Sequence, residues 1–151
     1  MKITHVFVYP VKGMMGVPMH HCRLLAHGFE HDRQWMVCDA NGAALKSGNN
    51  PKIRLVQVKW EEEAFVFRAP GMPAIRDWDD VDAWMSDYFG IQCRLVNVER
   101  TLDKQHGGRV SFSHGFPLLF QSQASLDDLN KRLQNPVTAQ HFRPNLMVDG
   151  C

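Results

Sequence analysis

Trp35-Met36-Val37-Cys38-Asp39-Ala40-Asn41-Gly42-Ala43-Ala44-Leu45-Lys46 is the stretch that decides the fold class. Its first five residues read as a strand, and Asn-Gly is the strongest short hairpin signal because both residues tolerate the positive φ of a tight turn. Ala43 to Lys46 is then the expected return strand. Upstream, residues 3–9 read as a strand rich in β-branched and aromatic side chains, ended by Pro10, which has no N–H to give a ladder. Residues 12–18 hold two Gly and a Pro and read as a loop, and 20–25 as a short strand. Downstream, Gly48 to Pro51 reads as a turn, and residues 53–60 and 64–69 as strands around Glu61-Glu62-Glu63.

The period then changes. Val81, Trp84, Met85, Tyr88 and Phe89 follow i, i+3, i+4, i+7, i+8 spacing behind Asp79-Asp80, which predicts an amphipathic helix closed by Gly90. Residues 93–98 return to a strand pattern. Residues 99–109, with Gly107-Gly108, read as a mobile loop or boundary. Phe116 to Phe120 reads as a short strand. Ser122 caps a second helix holding Leu126, Leu129 and Leu133, which Asn135-Pro136 ends, and Phe142 to Val148 is a last strand. The expectation is a mainly β fold with minor α: a small N-terminal β-barrel with a packed helix over residues 1–98, then an incomplete strand–helix–strand piece over residues 110–151.

Composition narrows the function. The 151 residues are 44% hydrophobic and 22% charged, ordinary for a chain that buries a core. A net charge of +1 argues against a general nucleic-acid or polybasic membrane binder but leaves room for a local basic pocket. No signal peptide and no apolar run long enough to cross a membrane is read in the sequence. Cys22, Cys38, Cys93 and Cys151 form no CxxC pair, so the reading is a reduced, cytoplasmic protein.

Three cationic blocks carry the chemistry. Lys12 follows a strand-ending Pro in a glycine-bearing loop, where backbone N–H groups and an ammonium can meet an anion; the plainer alternative is a solvated loop lysine. Arg33 lies between Asp32 and Trp35. Its planar fork suits phosphate or carboxylate, against the alternative of a local ion pair with Asp32. Arg143 and Asn145 flank Pro144. In an extended chain both point to one face and offer a polar ligand site, against the alternative of a structural turn. His20, His21, Cys22, His27 and His31 invite a zinc reading, and His27 and His31 have three residues between them, but Gly28 and the expected turn spoil a helical face, so no structural zinc is expected. Cys38 sits in an apolar strand and reads as inert. Ser111 to Gly115 contains Ser and His, but neighbours in sequence are not a dyad, and no catalytic residue is assigned.

In order, Tyr9-Pro10-Val11-Lys12, Asp32-Arg33-Gln34-Trp35, Cys93-Arg94-Leu95-Val96, Phe116-Pro117-Leu118-Leu119 and Phe142-Arg143-Pro144-Asn145 resemble the MOSC superfamily. The likeness is to its N-terminal β-barrel domain and the start of the MOSC domain, the arrangement of the mitochondrial amidoxime-reducing component and its bacterial relatives. The resemblance implies that Lys12, Arg33, Arg143 and Asn145 hold the pterin of the molybdenum cofactor, above all its phosphate. It also implies a parent oxidoreductase that reduces N-hydroxylated compounds with electrons from an iron–sulfur or haem partner. The family's molybdenum-ligating cysteine lies beyond the Arg-Pro-Asn strand, and the chain reaches only Cys151, so no metal ligand is assigned. Gly13, Met14-Met15 and Lys46-Ser47-Gly48 depart from the family pattern. The other open reading is a non-catalytic β-barrel binding module without cofactor.

Overall fold

The computed structural model describes residues 1–76, 78–97 and 115–150, and the backbone of 102–103 and 109–110. The chain runs through β1 (Lys2–Val8), β2 (Val17–Met19), β3 (Leu24–Leu25), β4 (Gly28–Phe29), β5 (Trp35–Asp39), β6 (Gln57–Glu61) and β7 (Ala64–Arg68). Helix α1 (Val81–Phe89) and β8 (Cys93–Asn97) follow, then β9 (Leu102–Asp103), β10 (Arg109–Val110), β11 (Phe120–Ser122), α2 (Gln123–Asn130) and β12 (Leu146–Asp149). Among the described residues the fold is mainly β with two α-helices, in the class the sequence predicts. The described sheets are open, however, and none closes into a complete barrel.

Two assemblies organise the chain. In the first, β5 pairs antiparallel with β8, β6 with β7, and α1 seals their apolar faces. The helical spacing of Val81, Trp84, Met85, Tyr88 and Phe89 turns all five inward, onto Val37, Ile53, Val56, Val58 and Phe67. Gly90 ends α1 with φ 71°, a left-handed cap whose N–H bonds to the carbonyls of Ser86 and Asp87. The second assembly is a four-stranded sheet in the order β11-β12-β1-β2. β12 runs antiparallel to β1 and parallel to β11, and α2 makes the crossover that a parallel pair needs. Residues far apart in sequence thus share one sheet, with Val6 opposite Leu146 and Lys2 opposite Asp149.

Several sequence expectations shift. The return strand after Asn41-Gly42 is a single bridge, Cys38 to Ala44, because the long ladder partner of β5 is β8. Residues 51–55 form a 3-10 helix rather than the start of a strand. Pro51 opens the turn, and Ile53 drops fully into the core. Strand pairing in 20–25 is confined to Leu24–Leu25, and in 116–120 to Phe120, where β11 begins. α2 ends at Asn130, well before Pro136. Residues 143–145 are not an extended strand entrance, since Arg143 has φ 60°. Most of the predicted loop at 99–109, the segment 111–114 and Cys151 lie outside the described residues.

Candidate functional site

β1 ends by delivering Tyr9, Pro10 and Lys12 alongside the approach to β5. Four hydrogen bonds zip the first two sequence blocks together. Tyr9 N–H donates to Asp32 Oδ1 (2.8 Å) and Arg33 N–H to the Tyr9 carbonyl (2.7 Å). Trp35 N–H donates to the Pro10 carbonyl (3.1 Å) and Lys12 N–H to the Trp35 carbonyl (2.8 Å). The third block is sewn on through Asn145, which is 1% exposed. Phe7 N–H donates to its carbonyl (2.8 Å), and its own Nδ2 donates to the Phe7 carbonyl (3.2 Å). Its Oδ1 accepts from Leu119 N–H and from Arg33 Nη1, both at 3.1 Å.

Arg33 is the junction. Nη1 also donates to Asp32 Oδ2 and Nη2 to the Arg143 carbonyl (3.0 Å). The local ion pair foreseen from sequence therefore exists, but it is buried: Asp32 is 2% exposed. Burial outweighs the Arg33 charge and the Tyr9 N–H and holds the Asp32 carboxyl above its usual range. Arg143 reaches the same place from the other side, with Nη1 donating to the Gly13 carbonyl (3.1 Å). Its Nη2 is buried with no partner among the described residues. Burial first, and the Arg33 charge second, push the Arg143 guanidinium down to about 10, still cationic at neutral pH. Both guanidinium carbons stand 4.6 Å from the centre of the Tyr9 ring. Both arginines also hold positive φ, 50° and 60°, an uncommon backbone state that costs a non-glycine residue about 1–3 kcal/mol and concentrates at functional sites.

These groups open onto a cleft of about 650 Å³. Lys12, Arg33, Arg143 and Asn145, the four residues singled out in the sequence, all line it. So do two cations that the sequence reading did not select, Lys46 and Arg54. Lys46 stood out only as a departure from the family pattern, and Arg54 was hidden inside a predicted strand. Arg54 Nη2 donates to Ser47 Oγ (3.0 Å). No Asp or Glu is among the described residues lining the cleft. Five cationic side chains thus line one cleft in a protein of net charge +1, and of these Arg33 is paired with Asp32 behind the lining. The lining also includes the apolar side chains of Phe116, Leu118, Leu119 and Phe142. Chemically this is a seat for an anion attached to a flat or apolar body.

The remaining candidates fall elsewhere. Among the described residues no group of three or more His, Cys, Asp or Glu could hold a metal ion. His31 stacks on Trp60, 5.4 Å between ring centres, and meets the edge of Phe65. Burial raises the thiols of Cys22, Cys38 and Cys93, and none of the three lines the cleft. No helix among the described residues is long and apolar enough to cross a membrane.

The sequence profile described as the MOSC N-terminal beta barrel domain matches residues 1–77, and that of the MOSC domain matches residues 107–151. Among similar proteins are mitochondrial amidoxime reducing component 2 of Bos taurus and of Homo sapiens, each 27% identical over 191 aligned residues. Mitochondrial amidoxime-reducing component 1 of Mus musculus is 26% identical over 189. Each alignment covers 99% of this chain, which spans only 56% of the relative's length. The cytoplasmic location read from the cysteines is contradicted by these relatives, whose names place them in mitochondria. Cysteine spacing reports redox environment, and a reducing environment does not single out one compartment. With half the chain matched by one profile and its C-terminal part by the companion profile, the protein belongs to the MOSC family, in its arrangement of an N-terminal beta barrel domain followed by MOSC sequence.

Proposed function

We propose that the cleft anchors the phosphate of a pterin molybdenum cofactor, and that the chain is the cofactor-binding part of a MOSC-type oxidoreductase. The observation that carries this reading is the gathering of five cations in the lining of one cleft, with no Asp or Glu among its described lining residues. A phosphate carries up to two negative charges and takes charge-assisted hydrogen bonds from several donors at once. Arg143 fits that need best, because its buried Nη2 is unpartnered. Lys12 and Arg33 would share the phosphate. Asn145 would act mainly by holding Arg33, since its amide already bonds to Arg33, Leu119 and Phe7. Phe116, Leu119 and Phe142 offer an apolar wall for a flat heterocycle and keep water from the anion's apolar side.

When bound, the cofactor would supply the redox centre; the residues described here bind it, orient it and neutralise its charge. The relatives are named as amidoxime-reducing, which supports N-hydroxylated compounds as the substrate class. A reduction needs an electron donor, and the reading takes an iron–sulfur or haem protein for that role. In this reading residues 1–98 are the barrel domain, residues 110–151 begin the MOSC domain, and the cleft draws on both.

The test is pterin content after expression in a host that makes the cofactor. Wild-type protein is expected to carry pterin, and Arg143→Ala to weaken its retention by about 1.5–3 kcal/mol, the range for a hydrogen bond to a charged group. Wild type without pterin would favour the non-catalytic module, and retention unchanged in Arg143→Ala would remove that residue from the site.

A further inference from the structure

Resting on the anion-cleft reading, we infer that Tyr9 is a ligand-positioning residue whose hydroxyl donates a hydrogen bond to the bound anion and whose ring holds both arginines in place. Nothing in the three cationic blocks requires a phenol here, since a phenylalanine would pack equally well. The structure shows three features that packing does not explain.

The first is the hydroxyl. Tyr9 is 1% exposed, yet its Oη has no partner among the described residues. A buried hydroxyl without a partner is destabilising, so a sequence under only packing constraint has no reason to keep it. The second is location. Tyr9 lines the same cleft as Arg143, whose Nη2 is the other unpartnered buried donor there. Two unused donors on one cleft without carboxylates call for one acceptor, and an oxyanion supplies it. The third is the support of the ring. Tyr9 N–H is held by Asp32 and its carbonyl by Arg33 N–H, so the backbone is clamped on both sides. A Cβ at residue 16 would stand 2.5 Å from Tyr9 Cε1 and 2.8 Å from Cζ, so only glycine leaves room for the phenol end. Gly16 also lines the cleft.

The electrostatics agree. Two guanidiniums at 4.6 Å from one ring centre repel each other, and the negative face of the ring offsets part of that repulsion. Burial pushes the Tyr9 phenol up to about 12, even against the two nearby cations, so it remains an O–H donor at neutral pH. The hydroxyl is shielded from solvent, so its bond to an anion forms only with a local shift of the cleft lining.

The experiment is calorimetric titration of the full chain with inorganic phosphate, for wild type, Tyr9→Phe, Gly16→Ala and Arg143→Ala, with thermal midpoints measured in phosphate-free buffer. Tyr9→Phe is expected to weaken phosphate binding about tenfold or more, the scale of a hydrogen bond to a charged group, without lowering the phosphate-free midpoint. A merely structural tyrosine would lower the midpoint and leave affinity alone. Gly16→Ala, which displaces the ring while keeping the hydroxyl, is expected to weaken binding as well. Phosphate binding lost in Arg143→Ala but unchanged in Tyr9→Phe would overturn the Tyr9 inference and leave the anion cleft standing. Should Tyr9→Phe not fold, unchanged affinity in Gly16→Ala would overturn it equally. No phosphate binding by wild type would overturn both.

Discussion

Around α1, five apolar side chains turn inward, and the strands they meet are themselves lined with Val37, Val58 and Phe67. Around α2, of the three leucines at helical spacing only Leu126 is buried, and Leu133 lies beyond the helix and exposed. Phe116 is 64% exposed and Phe120, on the edge strand β11, 59%. The first region therefore owns a core. The second borrows one, through the cluster of Phe7, Tyr9, Leu126 and Met147 and the ladder between β12 and β1. The difference teaches where the cleft comes from. It forms at the borrowed junction, where polar bonds from Asn145 and Arg33, rather than apolar volume, fix the geometry.

The comparison breaks most sharply at Asp32. Asp32→Ala removes the carboxylate that pairs with Arg33 and accepts from Tyr9 N–H, leaving a buried charge uncompensated. The expected loss is about 3–5 kcal/mol in urea unfolding. A loss under about 1 kcal/mol would mean that the junction is not held by this network.

Next come paired truncations in the two regions. Met85→Ala cuts a fully buried side chain under α1 and is expected to destabilise by about 2–5 kcal/mol. Leu133→Ala, past the end of α2, is expected to change stability by no more than about 0.5 kcal/mol. Equal effects would erase the distinction between an owned and a borrowed core.

The smallest effect belongs to the β6–β7 hairpin. Arg68 forks onto both Glu61 carboxylate oxygens (3.1 and 3.0 Å), and this hydrogen bonding pulls the Glu61 carboxyl below its usual value. A carboxyl depressed by folding contributes stability above its unfolded pKa, and that contribution is lost as pH falls through the folded value. The urea midpoints of wild type and Glu61→Gln are therefore expected to differ slightly at neutral pH and to converge in strong acid. A gap that widened on acidification would contradict the pairing.

Much of this was legible in the chain. The spacing of Val81 to Phe89 and the stop at Gly90 specify α1, and the short apolar runs rich in β-branched and aromatic residues in β5 and β7 specify strands, because each is a local signal. The partner of β5 was not legible. Asn41-Gly42 announces a local hairpin, whereas β8 wins the ladder from beyond α1 through packing. The four candidate residues were visible as cations or amides beside Pro and Trp, and all four line the cleft. Their spatial logic was not visible. The left-handed Arg143 overturns the simple argument that residues two apart face together, and Asn145 reaches Arg33 from within a buried network. Tyr9 gave no polar signal, since a tyrosine ending an apolar strand looks like core until its hydroxyl is found without a partner.

The central claim is that cations from distant blocks form one anion seat. Its most direct measurement is a crystal structure with arsenate, a phosphate analogue whose heavy atom scatters anomalously. The account predicts an anomalous peak in the cleft within hydrogen-bond reach of Arg143 Nη2 and of the Lys12 or Arg33 side chain. A cleft that holds only water, at arsenate concentrations that occupy other surface cations, would contradict it.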